Sequence, residues 1–321
     1  MKTTARFGSL ALLVLATLSA SRIPLAQGGS VPHLYIADGA WDSEDCRIVR
    51  LDDLTGKGWT NFGSKGSKEA TEFGSVSDVA VDSKRRIYGV DQERNRVVRI
   101  DDMSGKGLIA FGKPGKQRGQ FNYPCGICID AQDRIYVTDT SAEMGPKANR
   151  VIRMDDMTGK NWQVFDLLEE PTGVSVDKDG RIYIANYAGS SITRIDSMDG
   201  KGVKEFGKEG SGKGEFSLPF RIALDAQNRI YVSDFGNHRI VRIDDMTGKN
   251  WTTFGTKGKG VNQLGSAGAI AFDRQGRIYL GDRANNRIIR IDDMTGKNWV
   301  AFAPSQKDPH HFFSVSGICV H

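Results

Sequence analysis

A segment of about 48 residues recurs six times along this chain. A Tyr-x-x-Asp/Asn signature places Asp38, Asp91, Asp139, Asn186, Asp234 and Asp282 in register, at steps of 53, 48, 47, 48 and 48 residues. A second signature follows each copy. It reads Asp53-Leu-Thr-Gly-Lys, Asp102-Met-Ser-Gly-Lys, Asp156-Met-Thr-Gly-Lys, Ser197-Met-Asp-Gly-Lys, Asp245-Met-Thr-Gly-Lys and Asp293-Met-Thr-Gly-Lys. Self-similarity at a fixed period constrains the fold before any single residue does.

The unit itself is β. Between Pro219 and Gly255 four short runs, Phe220–Leu224, Arg229–Val232, Arg239–Ile243 and Trp251–Phe254, are apolar or alternate. Asp-Ala-Gln-Asn, Asp-Phe-Gly-Asn and Asp-Met-Thr-Gly-Lys-Asn separate them. Asp and Asn close turns through their own side chains, and Gly supplies positive φ. Four strands in each of six units predict an all-β, six-bladed β-propeller with four antiparallel strands per blade. The first unit lacks an innermost strand, and Ser316-Gly-Ile-Cys-Val-His321 aligns with Thr172-Gly-Val-Ser-Val-Asp177. The C-terminal strand is therefore expected to complete the N-terminal blade and close the ring, which removes exposed sheet edges. No helix is needed after the leader.

Pro124-Cys-Gly-Ile…Asp130, Arg134-Ile-Tyr-Val-Thr-Asp139 and Asn149-Arg-Val-Ile-Arg153 resemble the repeat of the NHL family. Gly115-Lys-Gln-Arg-Gly-Gln-Phe121 is similar to that family's Gly-rich interblade loop. The resemblance covers roughly residues 33–321. It implies a propeller that serves as a binding domain, an extracytoplasmic sensor or, in a few cases, a lyase.

The N-terminus reads as a targeting segment. Lys2 and Arg6 precede an apolar run from Leu10 to Leu18, too short to span a bilayer, and small residues follow. Residues 1–26 are expected to be a signal peptide and short leader, and 27–321 a single propeller domain. A secreted or periplasmic protein follows, with no membrane span. Removing Lys2 and Arg6 takes the net charge from +5 to +3. The interblade loop with Lys113, Lys116 and Arg118 is basic, and the next, with Asp166, Glu169 and Glu170, is acidic. Nucleic-acid binding needs a coherent positive field, so no nucleic-acid partner is expected.

Interblade loops and loops after the second strand share one face, here called the top. Loop-rich channel mouths are where such folds bind. The innermost strands carry Asp78, Gly126, Gly173, Arg221, Ala269 and Gly317 at one level, then Ala80, Cys128, Ser175, Ala223, Ala271 and Cys319. Against these small residues Asp78 and Arg221 stand out, half a ring apart. Together they are expected to grip a polar ligand, Arg221 on an anionic group and Asp78 on an amine or hydroxyls. Trp41, Tyr123, Tyr187, Phe220 and Phe235 fall in the top loops, where aromatic rings suit stacking. The candidate ligand-binding set is Asp78, Arg221, Phe220, Tyr187, Phe235 and Trp41. The Asp/Asn ring is read as structural, because a position filled in every blade is explained by the repeat.

His238, His310 and His311 are the histidines that could meet on top, whereas His33 and His321 belong to the closing hairpin. No metal and no cofactor is expected. Cys128 and Cys319 read as small packing residues, and a Cys46–Cys125 disulfide stays open. The expected function is a monomeric ligand- or protein-binding module acting through its top face on a small polar ligand or a protein partner. The alternative is a propeller-type lyase or lactone hydrolase with its site at the channel mouth.

Overall fold

A computed structural model describes residues 32–39, 43–140, 149–166 and 168–321. The expected leader, Trp41 and most of the 140–148 excursion lie outside the described residues. The fold is all-β: six four-stranded antiparallel sheets arranged as blades around an axis. Within the described residues the one helical element is a 3-10 turn at Arg283–Asn285.

Blade 5 shows how the repeat becomes structure. Its strands are Pro219–Leu224, Ile230–Asp234, Arg239–Ile243 and Thr252–Phe254, within two residues of the sequence-based limits. The inner strand lines the axis. The second strand is buried at all five residues, because neighbouring blades cover both of its faces. The outer strand is three residues long and exposed at two of them. Six apolar clusters hold the ring, each shared by two adjacent blades.

Closure is as expected. Val315–Val320 pairs antiparallel with Leu34–Asp38, so the last strand is the innermost strand of the first blade. His33 and His321 exchange backbone hydrogen bonds of 2.9 and 3.0 Å at that seam.

The Gly-rich loops between blades are tied down by a repeated clamp. Asp91, ending the second strand of blade 2, accepts N–H bonds from Gly74 and Ser75 and the Nε of Arg96 at 2.8 Å. Arg96 then donates to the carbonyl of Glu72. Asp139 with Arg150, Asp234 with Arg239 and Asp282 with Arg287 repeat this wiring onto the carbonyls of Gln120, Glu215 and Gln263. Asp38 with Arg47 does the same at the seam, reaching His311. Each loop ends on an apolar plug between blades, such as Phe121. Gly112 (φ +122°) makes room for it: a Cβ there would stand 2.6 Å from the Phe121 ring.

Candidate functional site at the channel mouth

Blade 2 places Asp78 and blade 5 places Arg221 on opposite inner strands, as the repeat implies. The structure departs from the expected open clamp. Arginine is long enough to cross the axis, and Arg221 Nε lies 3.5 Å from Asp78 Oδ2. Its terminal nitrogens donate to the carbonyls of Thr172 (2.8 Å), Ser77 (2.6 Å) and Cys125 (3.4 Å). Asp78 accepts the N–H groups of Val79 and Ile127 at 2.9 and 3.1 Å. Both residues are buried. The pair is therefore a plug that joins inner strands of blades 2 to 5, not a pair of free charges awaiting a ligand. Burial pushes the Asp78 carboxyl above its ordinary value, against the pull of Arg221.

Three of the candidate aromatics meet directly above this plug. The Phe220 ring lies over the Arg221 guanidinium at 4.2 Å, a cation–π geometry. Tyr187 meets Phe220 edge-on at 6.3 Å, and Phe235 meets it at 5.7 Å. All three come from loop-facing ends of blades 4 and 5, where a strand turns to the top. They line a cavity of about 230 Å³. Beside them stand Ser77, Thr140, Thr172, Glu170 and Arg283, none of which the sequence reading had selected as a site residue. Tyr123 also contributes to the lining. Burial, followed by the nearby Glu170 charge, raises the Tyr187 phenol above its ordinary value.

The mouth hydroxyls have a common wiring. Ser77 Oγ donates to the Cys125 carbonyl at 2.7 Å, from blade 2 to blade 3. Thr140 donates to the Pro171 carbonyl, and Thr172 Oγ1 to that of Pro219 at 3.4 Å, each one blade further round. Arg283, on the opposite side of the mouth, donates its Nε to Ser314 Oγ at 3.0 Å. A second depression adjoins the cavity there, with Phe235 and Arg283 lining both.

The remaining candidates go elsewhere. His310 stacks on Trp59 at 5.2 Å, His311 Nδ1 sits 2.6 Å from the Asp308 carbonyl, and His238 Nδ1 sits 2.5 Å from that of Gly265. Among the described residues no group of three His, Cys, Asp or Glu side chains could hold a metal ion. None of the four cysteines is in a disulfide. Cys46 points at the Gly74 carbonyl between blades 1 and 2, whereas Cys125 lies at the mouth, 3.6 Å from Arg221. No Cys46–Cys125 bridge forms. Burial pushes the Cys128 and Cys319 thiols up to about 12, so neither is an activated nucleophile. No helix among the described residues is long and apolar enough to cross a membrane.

Comparison with known proteins agrees with this architecture. The NHL repeat model matches residues 216–243, which run from the end of an interblade loop through three strands of blade 5. A chain of the nidogen/laminin complex superposes with a TM-score of 0.66 at 19% identity, covering 90% of this chain and 98% of that one. A streptogramin B lyase superposes at 0.55 with 16% identity, covering 85% and 84%. Virginiamycin B lyase from Staphylococcus aureus, solved as an inactive variant with quinupristin, gives 0.56, 16% identity and 86% of each chain. At these identities the likeness concerns the fold. The chain is a six-bladed β-propeller that carries the NHL repeat.

Proposed function

We propose that this protein is an exported binding module that takes a small polar ligand, free or displayed on a protein, into the mouth of its propeller. One observation carries the reading. Tyr187, Phe220 and Phe235 are not imposed by the repeat, yet they converge around one cavity at the top of the axis. Asp78 and Arg221 lie behind its lining, where Arg221 holds the carbonyls of Ser77, Cys125 and Thr172 and stacks on Phe220. They contribute a rigid, internally neutral backing rather than direct ligand contacts. The lining is the usual one for a small-molecule site, with aromatic walls and a few fixed polar groups. Export rests on the N-terminal pattern of Lys2, Arg6 and the apolar run to Leu18.

A lyase or lactone hydrolase is the second reading, because three of the structural neighbours bear lyase names. Among the described residues the cavity lining holds one carboxylate, Glu170, and no histidine, so acid–base chemistry there would fall to Glu170 with Tyr123 or Tyr187.

The test is a thermal-shift screen of small polar compounds on the wild type and on Phe235→Ala. Compounds that stabilise the wild type and lose that effect in the variant support the mouth as the site. Hits that stabilise both equally place binding elsewhere and overturn it.

A further inference from the structure

Three hydroxyls that donate to the protein itself, one carboxylate and a group of aromatic rings meet at the mouth, and together they select a ligand class. A hydroxyl has one proton and two lone pairs. Ser77, Thr140 and Thr172 have each committed that proton to a backbone carbonyl of the next blade. What they can offer a ligand is lone pairs. Glu170 adds a carboxylate that makes no hydrogen bond or ion pair to the described residues. Tyr187 and Phe235 add electron-rich ring faces on either side of Phe220. The two cations nearby are already engaged. Arg221 is held by Asp78 and three carbonyls, and Arg283 donates to Ser314 of the adjacent blade. The axis already holds one cation just behind the mouth, where carbonyls of three inner strands collect the Arg221 guanidinium.

We infer that the cavity selects an organic cation with N–H donors, a primary ammonium or a guanidinium, seated against Glu170 and beside the Tyr187, Phe220 and Phe235 rings. Such a cation satisfies the acceptors through its protons and the rings through its charge. A neutral alcohol of the same shape satisfies fewer acceptors and leaves Glu170 unpaired. An anion meets the Glu170 charge and lone pairs already turned toward it. The inference rests on the mouth being the binding site.

The test is calorimetric titration of the full chain at neutral pH with benzylammonium, benzyl alcohol and benzoate, which share size and ring. Benzylammonium is expected to bind at least about tenfold more tightly than either, the scale of one charge-assisted hydrogen bond. Glu170→Gln should remove that advantage and leave benzyl alcohol unchanged, with thermal unfolding confirming an intact fold. Phe235→Leu should weaken all three. Equal binding of benzylammonium and benzyl alcohol, tighter benzoate, no response to Glu170→Gln, or no binding of benzylammonium overturns the cation inference. The two readings fail differently. If benzyl alcohol or benzoate binds best and Phe235→Leu weakens it, the mouth stands and the cation falls. If benzylammonium binds but ignores both substitutions, the mouth is not where it binds.

Discussion

The clamps above the blades and the mouth at their centre use the same residue types to opposite ends. In five blades an aspartate ends the second strand, receives loop N–H groups and pairs with an arginine that reaches the interblade loop. Blade 4 is the exception. It carries Asn186 and Ser191 in those places, and Ser191 donates to Glu205 rather than to a loop. The junction before it, Asp166 to Glu170, is too short to form the long loop of the other blades. Where there is no loop to hold, both charges are gone together. The clamp is therefore scaffold, and its near-sixfold recurrence is explained by the ring. Tyr187, Phe220, Phe235 and Glu170 occur once, and no ring constraint accounts for them.

The largest effect should come from opening the ring. Truncation after Phe313 removes Val315–Val320 and leaves Leu34–Asp38 without its inner partner. The variant should lose cooperative thermal unfolding or aggregate. A soluble monomer with the wild-type melting temperature would show that closure by this strand is dispensable.

Next comes the plug. Arg221→Ala leaves the buried Asp78 carboxylate without its countercharge and the Ser77, Cys125 and Thr172 carbonyls without the guanidinium. Removing one partner of a buried pair costs about 3–5 kcal/mol, which chemical denaturation can read. Stability within error of the wild type would return Arg221 to the set of residues held for a ligand alone.

The clamp should respond less, and in a pH-dependent way. Arg150→Ser orphans Asp139, whose carboxyl burial already raises to about 6 despite Arg150. An acid raised on folding binds more protons folded than unfolded, so its stability is lost as pH rises through the window from about 4 to 6. Without Arg150 that window extends higher. The deficit, about 1–3 kcal/mol at neutral pH, should narrow below about pH 6. Adding Asp139→Asn, which copies blade 4, should recover part of it, and a strictly additive double mutant would refute the coupling.

The smallest stability effect belongs to the mouth. Phe235→Ala should shift unfolding by about 0.5 kcal/mol, as for a partly exposed side chain. A loss several times larger would make the aromatic group another piece of scaffold.

The architecture was legible because six copies repeat each signal, so that strand limits in blade 5 and the closing role of Ser316–His321 follow from alignment alone. Tyr187, Phe220 and Phe235 were legible as a top cluster from their loop positions. The pairing of Arg221 with Asp78 was not, since sequence register places a Cα on a blade but does not say how far a guanidinium reaches. Ser77, Thr140 and Thr172 were invisible as site residues because their role depends on where one proton points. Glu170 had a signal that could have found it. It sits in the one interblade junction that is only five residues long, beside the one blade that lacks the clamp arginine.

The central claim is that single-copy mouth residues bind while repeated residues hold the ring. Crystals soaked with a chemically mixed fragment library test it without prior choice of ligand. Bound fragments are expected at the top of the axis, in contact with Tyr187, Phe220 or Phe235. Fragments that instead settle in the groove lined by Arg134, Gln163 and Asp199, with the mouth left vacant, would contradict it.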